Sequence, residues 1–155
     1  MGRAGLSHNA IGISTIMEKS TNADIVRKIY SDFVAGNIEA VLEVLDENVD
    51  WDSRANWPGG PPTPYAGQRR GRNDVAECFK LFREAIQFEK ALPSTSYTSV
   101  GENVLVTGRN IHRVLSTGEL TENRWSMFWT FNHGKVVRLR VYMDTVEMLE
   151  GTVPN

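Results

Sequence analysis

The chain has 155 residues, 41% of them hydrophobic and 23% charged, which suits one domain with a real core and excludes a disordered or fibrous chain. Lys and Arg number 17 against 19 Asp and Glu, a net charge of -2, so no basic footprint points to nucleic acid or an anionic membrane. A lone Cys78 closes no internal disulfide, no apolar run reaches the ~18 residues of a membrane span, and the three scattered histidines show no metal-ligand spacing. The expectation is a cytoplasmic protein with no metal, no nucleic-acid partner and no membrane segment.

Residues 1–20 carry no sustained period and read as a disordered leader. Thr21 with Asp24 resembles a helix-capping pair, and Ile25, Ile29 and Phe33 recur at helical spacing, predicting a helix that Gly36 ends. Asn37 can cap a second short helix marked by Ile38, Val41, Leu42 and Leu45. Val49 to Asp52 reads as a short strand, with Val49 and Trp51 on one face and Asp50 and Asp52 on the other. Trp57 to Tyr65 holds four of the six prolines and must be a loop; its two aromatics suit a lid over something apolar. Asn73 can cap a third helix whose stripe is Val75, Cys78, Phe79, Phe82 and Ile86, with Cys78 read as a small core residue.

Beyond Gln87 the helical period stops. Strands are predicted at Val104 to Leu115, Leu120 to Phe131 and Val136 to Met143, joined by turns at Ser116–Glu119 and Asn132–Lys135. In the last, Val137, Leu139, Val141 and Met143 alternate with Arg138, Arg140, Tyr142 and Asp144. A short helix or tail closes the chain from Thr145. The predicted fold is α+β, a cone-shaped roll with three N-terminal helices packed on a curved antiparallel sheet, in one domain over residues 21–150 with a tail at 151–155. Such a cone leaves an apolar pocket with few polar groups, the usual form of a small-ligand site.

The segments Gly36-Asn37-Ile38-Glu39-Ala40, Asp46 to Asp52, the Pro-rich loop ending in Gly71-Arg72, and Phe131 to Val136 with Tyr142 and Asp144 resemble the nuclear-transport-factor-2-like superfamily, in its SnoaL-like polyketide cyclase and ketosteroid isomerase branch. The resemblance covers about residues 21–150. It implies a homodimer paired through the outer sheet face, with Arg138, Arg140 and Tyr142 there, and members that isomerise, dehydrate, cyclise, hydrolyse epoxides or only bind. It also implies a proton-abstracting carboxylate on the strand after helix two, where Asp52 stands. The family's helix-one tyrosine position is held by Ile29 with Tyr30 beside it, its strand aspartate by Met127, and the last-strand acid of the cyclases by Val141.

The alignment turns Asn110 and His112, then Trp125, Met127 and Trp129, then Val141 and Met143 toward the pocket. Tyr30, Trp51, Trp57, Tyr65 and Phe79 complete the expected substrate-binding set. Asp52 is the expected base and His112 the acid or its partner, with Asn110 or Tyr30 donating to a developing oxyanion. No phosphate cradle or dinucleotide fingerprint is present, so no cofactor is expected. The expected activity is isomerisation, dehydration or cyclisation of a small polyketide-, terpenoid- or steroid-like molecule. The alternative is a binding or interaction module of the same fold without turnover.

Overall fold

The Thr21 hydroxyl accepts from the Asp24 N–H (3.1 Å) while the Asp24 carboxylate accepts from the Thr21 N–H (3.3 Å), so the first helix opens on a reciprocal capping box. The computed structural model describes residues 21–54, 64–91 and 95–143. The expected leader, the lid with Trp57, and the closing segment from Asp144 lie outside the described residues. Helix α1 spans Asn22–Ala35 and ends at Gly36, whose φ of 86° is the left-handed cap that glycine adopts without strain. Helix α2, Ile38–Glu43, follows, though Asn37 caps it without a side-chain hydrogen bond.

Helix α3 runs from Arg72 to Ala85, and its start differs from the expectation: Gly71 is the N-cap and Asn73 lies inside the first turn. Glycine is required there twice over. Its φ is 83°, and an added Cβ would sit 3.0 Å from the Glu47 carbonyl oxygen. Arg72 then reaches across to donate from Nε to the Leu45 carbonyl at 2.8 Å, tying the helix start to the first strand.

Seven strands form one sheet: β1 Leu45–Arg54, β2 Gly67–Arg70, β3 Ile86–Ala91, β4 Ser96–Val100, β5 Asn103–Val114, β6 Leu120–Asn132 and β7 Lys135–Met143. The order is β2-β1-β7-β6-β5-β3, and β4 shares the β5 edge with β3. The sheet is mixed where an antiparallel one was expected, because β1 pairs in parallel with β7 and everything between them forms the crossover. Strand β1 is also longer than expected. Strand β2 is short and polar, as edge strands are, and β3 starts at Ile86, which ends the third helix in an extended conformation instead of belonging to its apolar stripe as expected.

The β7 alternation holds only from Arg138 onward. Thr130 pairs with Arg138 and Phe131 with Val136, so Val137 is the extra residue of a bulge, and Val136 fills the core in its place. Ala23, Val26 and Ile29 of α1, Val41 of α2, and Val75 and Phe79 of α3 pack on Val49, Trp51, Val104, Val106, Trp129 and Leu139 of the concave sheet face. Val41, Leu45, Val49 and Leu139 are wholly buried, each stabilising the fold by about 1.5–3 kcal/mol relative to exposure. The opposite, outer face shows Leu105, Phe128 and Tyr142, which are 41%, 39% and 52% exposed. No helix among the described residues is long and apolar enough to cross a membrane.

Candidate small-molecule site

Helices and sheet do not meet over their whole area; between them lies a cavity of about 110 Å³ with an almost wholly apolar wall. That volume holds one small ring, and is below the roughly 300 Å³ at which drug-sized sites begin. Helix α1 contributes Val26, Ile29, Tyr30 and Phe33, and α3 contributes Cys78, Phe79 and Phe82. The sheet contributes Trp51 and Ser53 from β1, Asn110 and His112 from β5, Trp125, Met127 and Trp129 from β6, and Leu139, Val141 and Met143 from β7. Tyr65 closes one side. The structure thus gathers Tyr30, Trp51, Tyr65, Phe79, Asn110, His112, Trp125, Met127, Trp129, Val141 and Met143 around one space.

Asp52 is the exception, and it corrects the expected mechanism. Trp51 and Ser53 face the cavity, so strand alternation turns Asp52 to the opposite face, where it is buried beside its register partner Arg140. No carboxylate lines the cavity among the described residues. Asp50 shares the outer face. Its Oδ2 lies 2.8 Å from an Arg140 guanidinium nitrogen and 3.6 Å from Arg138 Nε, and Gln68 Nε2 donates to Oδ1 at 3.2 Å. The Arg140 hydrogen bond, with smaller help from Gln68 and Arg138, holds the Asp50 carboxyl down to about 2 against burial.

This face is a structural ion-pair cluster. Asp50→Asn is expected to cost about 1 kcal/mol at neutral pH, read by urea denaturation. Because the folded value is depressed, that contribution is complete above the ordinary carboxylate value and is lost as pH falls toward 2.

Four of the polar side chains that line the cavity, Tyr30, Asn110, His112 and Asn123, are joined in pairs. Tyr30 Oη lies 2.5 Å from the Asn110 amide. With that amide turned so that Oδ1 accepts from Trp125 Nε1–H (2.8 Å), its Nδ2 donates to the Arg109 carbonyl (3.0 Å) and to Tyr30 Oη, and every polar atom of Asn110 is used. The Tyr30 proton is then left for an acceptor in the cavity. Burial, with smaller help from nearby Tyr97, pushes the phenol up to about 12, so it stays protonated at any ordinary pH.

Asn110 pairs across the strands with Asn123, a cavity residue the sequence reading missed. Its Nδ2 lies 2.9 Å from His112 Nδ1 and 3.4 Å from the Thr121 carbonyl. The contact with Thr121 makes this atom the donor, so His112 Nδ1 accepts and the neutral ring carries its proton on Nε2. His112 is 5% exposed, with Phe82 and Phe88 rings at 5.7 and 5.9 Å, and burial alone drives its pKa down to about 4. It is therefore a neutral hydrogen-bond donor at pH 7, not an imidazolium acid.

Two other polar groups line the same wall. Cys78 donates its thiol to the Tyr65 carbonyl at 3.1 Å, and burial pushes that thiol up, as befits a core residue. Trp129 Nε1 is buried without a hydrogen-bond partner among the described residues, its ring perpendicular to Trp51 at 6.0 Å. Ser53 and Asn123 were both legible in principle. Ser53 follows Trp51 in a strand that runs two residues past its expected end, and Asn123 precedes Trp125 in the same alternation.

Comparisons with known proteins agree with this architecture. No curated protein matches the sequence. Among solved structures, a nuclear-transport-factor-2-like protein from Burkholderia xenovorans is 27% identical with a TM-score of 0.73, covering 86% of this chain and 98% of that one. A Pseudomonas putida protein proposed to be a polyketide cyclase is 17% identical with a TM-score of 0.70, over 86% and 98% of the two chains. TerC, crystallised with polyporic acid, is 21% identical with a TM-score of 0.71, over 84% and 97%. The latter two likenesses show the fold alone. A family model described as the SnoaL-like domain matches residues 26–139, and the chain belongs to that family.

Proposed function

We propose that the cavity takes a small, mostly apolar carbonyl compound and activates it, without a cofactor, for isomerisation, dehydration or cyclisation. One observation carries the reading: two neutral donors, Tyr30 O–H and His112 Nε2–H, stand in one apolar cavity, each fixed by an asparagine. A carbonyl oxygen gains little from such donors in water. In a low-dielectric cavity they stabilise the negative charge that develops on it as hydroxide or a buffer base entering from solvent takes the neighbouring proton, since no carboxylate among the described lining residues can accept it. Asn110 and His112 are two residues apart on one strand face, roughly 7 Å, and the Tyr30 and His112 rings both pack on Phe88. The polyketide cyclase proposed for the Pseudomonas putida protein and the polyporic acid held by TerC support a carbonyl-bearing ligand class.

The absence of a carboxylate from the described cavity wall favours a second reading, a binding module without turnover. Deuterium exchange separates the two. Cyclohexanone and 2-cyclohexenone incubated in deuterated buffer should gain deuterium beside the carbonyl faster with the wild-type protein than with Tyr30→Phe. Binding of both ketones without any protein-dependent exchange establishes the binding module instead.

The outer sheet face supports a homodimer, since Leu105, Phe128 and Tyr142 are exposed on adjacent strands. Light scattering should give twice the 17.4 kDa of one chain, and a monomer would remove this part of the proposal. A cytoplasmic location fits a free, buried Cys78.

A further inference from the structure

Asn123 has one polar atom more than the protein uses. It is 2% exposed and lines the cavity, and its Nδ2 serves His112 Nδ1 and the Thr121 carbonyl. Its Oδ1 meets no donor among the described residues. A buried carbonyl-type acceptor left unpaired is costly, so a ligand that brings a donor to it gains more than an ordinary hydrogen bond offers.

The position of this atom matters as much as its vacancy for a donor. The amide holds the imidazole at Nδ1, so the unpaired acceptor and the His112 donor belong to two hydrogen-bonded side chains that both line the cavity. Much of the rest of the wall is apolar, with Val26, Ile29, Trp51, Val106 and Leu139 on it, and its other unpaired polar atom is a donor, Trp129 Nε1, which cannot take a hydroxyl proton. The cavity of about 110 Å³ limits the apolar part to about one six-membered ring.

Resting on the carbonyl reading above, we infer that the substrate is a hydroxycarbonyl compound, with a hydroxyl within one or two carbons of its carbonyl. The carbonyl oxygen accepts from Tyr30 and His112 while the hydroxyl donates to Asn123 Oδ1. Asn123 is then the residue that separates hydroxyketones from plain ketones. A site built to pair a hydroxyl rejects the analogue that lacks it, because the protein's own polar group is then left bare.

Calorimetric titration of the full-length protein with cyclohexanone, 2-hydroxycyclohexanone and 3-hydroxycyclohexanone tests this. At least one hydroxyketone should bind the wild type about tenfold tighter than cyclohexanone, and Asn123→Leu, which weakens both by releasing His112, should lose more affinity for that hydroxyketone than for cyclohexanone. Equal affinity for all three in the wild type overturns the hydroxyl inference and leaves the carbonyl reading standing, a water having met Oδ1 instead. Failure of all three to bind the wild type overturns the carbonyl reading itself, and the inference with it. The wild-type comparison decides the matter even if Asn123→Leu does not fold.

Discussion

Acidification from pH 6.5 to 4 is expected to cost the fold about 3 kcal/mol through one side chain, His112. Its ring is 5% exposed among Phe82 and Phe88, and burial lowers its pKa to about 4 from an ordinary value of 6.5. Between those values the unfolded chain binds a proton that the folded chain refuses. A folded value below the unfolded one means that the contribution is fully present above pH 6.5 and is lost as pH falls toward 4. A gap of this size corresponds to roughly 2–4 kcal/mol. The cavity wall offers the imidazolium no compensating charge, because among the described residues it holds no carboxylate. His112→Gln removes the titration, so its stability should change little over that window beyond what the remaining groups impose. Urea denaturation of both proteins at half-unit pH steps measures the difference. The Asp50 cluster adds little above pH 4, since most of its contribution is lost between the ordinary carboxylate value and about 2.

Leu139→Ala is expected to destabilise the fold by about 3–4 kcal/mol, again by urea denaturation. Leu139 is wholly buried at the middle of β7, paired with Trp51 on one side and Trp129 on the other, and it is also part of the cavity wall. Truncation loses its own burial, and the two indoles on either side are too well placed in the sheet to collapse into the gap. The lost volume therefore joins the cavity. The same variant should bind ketones one or two carbons larger than the wild type accepts, which a side chain buried away from the cavity would not produce.

How much of this was legible in the sequence follows from the reach of each signal. The capping pair at Thr21 and Asp24, the helix stop at Gly36 and the long strands β5 to β7 depend on neighbours a few residues apart, so local chemistry specifies them. Strand parity likewise turned Asn110, His112, Trp125, Met127, Trp129, Val141 and Met143 inward in the structure. The parallel pairing of β1 with β7 joins segments some ninety residues apart, and nothing local announces it. The Val137 bulge shifts β7 by one residue, a change that an alternating pattern alone hides.

The site was half legible for the same reason. The alternation at Val49 to Asp52 separated Trp51 from Asp52 correctly, but the family resemblance assigned the inward role to the carboxylate. The structure gives the cavity to Trp51 and Ser53, and the outer face to Asp50 and Asp52 with Arg138 and Arg140. The alternation that carries Trp125 could have placed Asn123 on the inward face, but its role went unread because a polar residue in a strand carries no sign of which partner it will meet. Only its pairing with Asn110 and its bond to His112 give it a role.

The central claim is that Tyr30 and His112 together hold a ligand's carbonyl oxygen, and the carbonyl stretching frequency of bound, carbon-13-labelled cyclohexanone tests it most directly. Isotope-edited infrared spectra of the wild-type complex should show that band at lower frequency than in an apolar solvent, moving part of the way back in Tyr30→Phe and in His112→Phe. A wild-type band at the apolar-solvent position, with the ketone bound, would contradict the account.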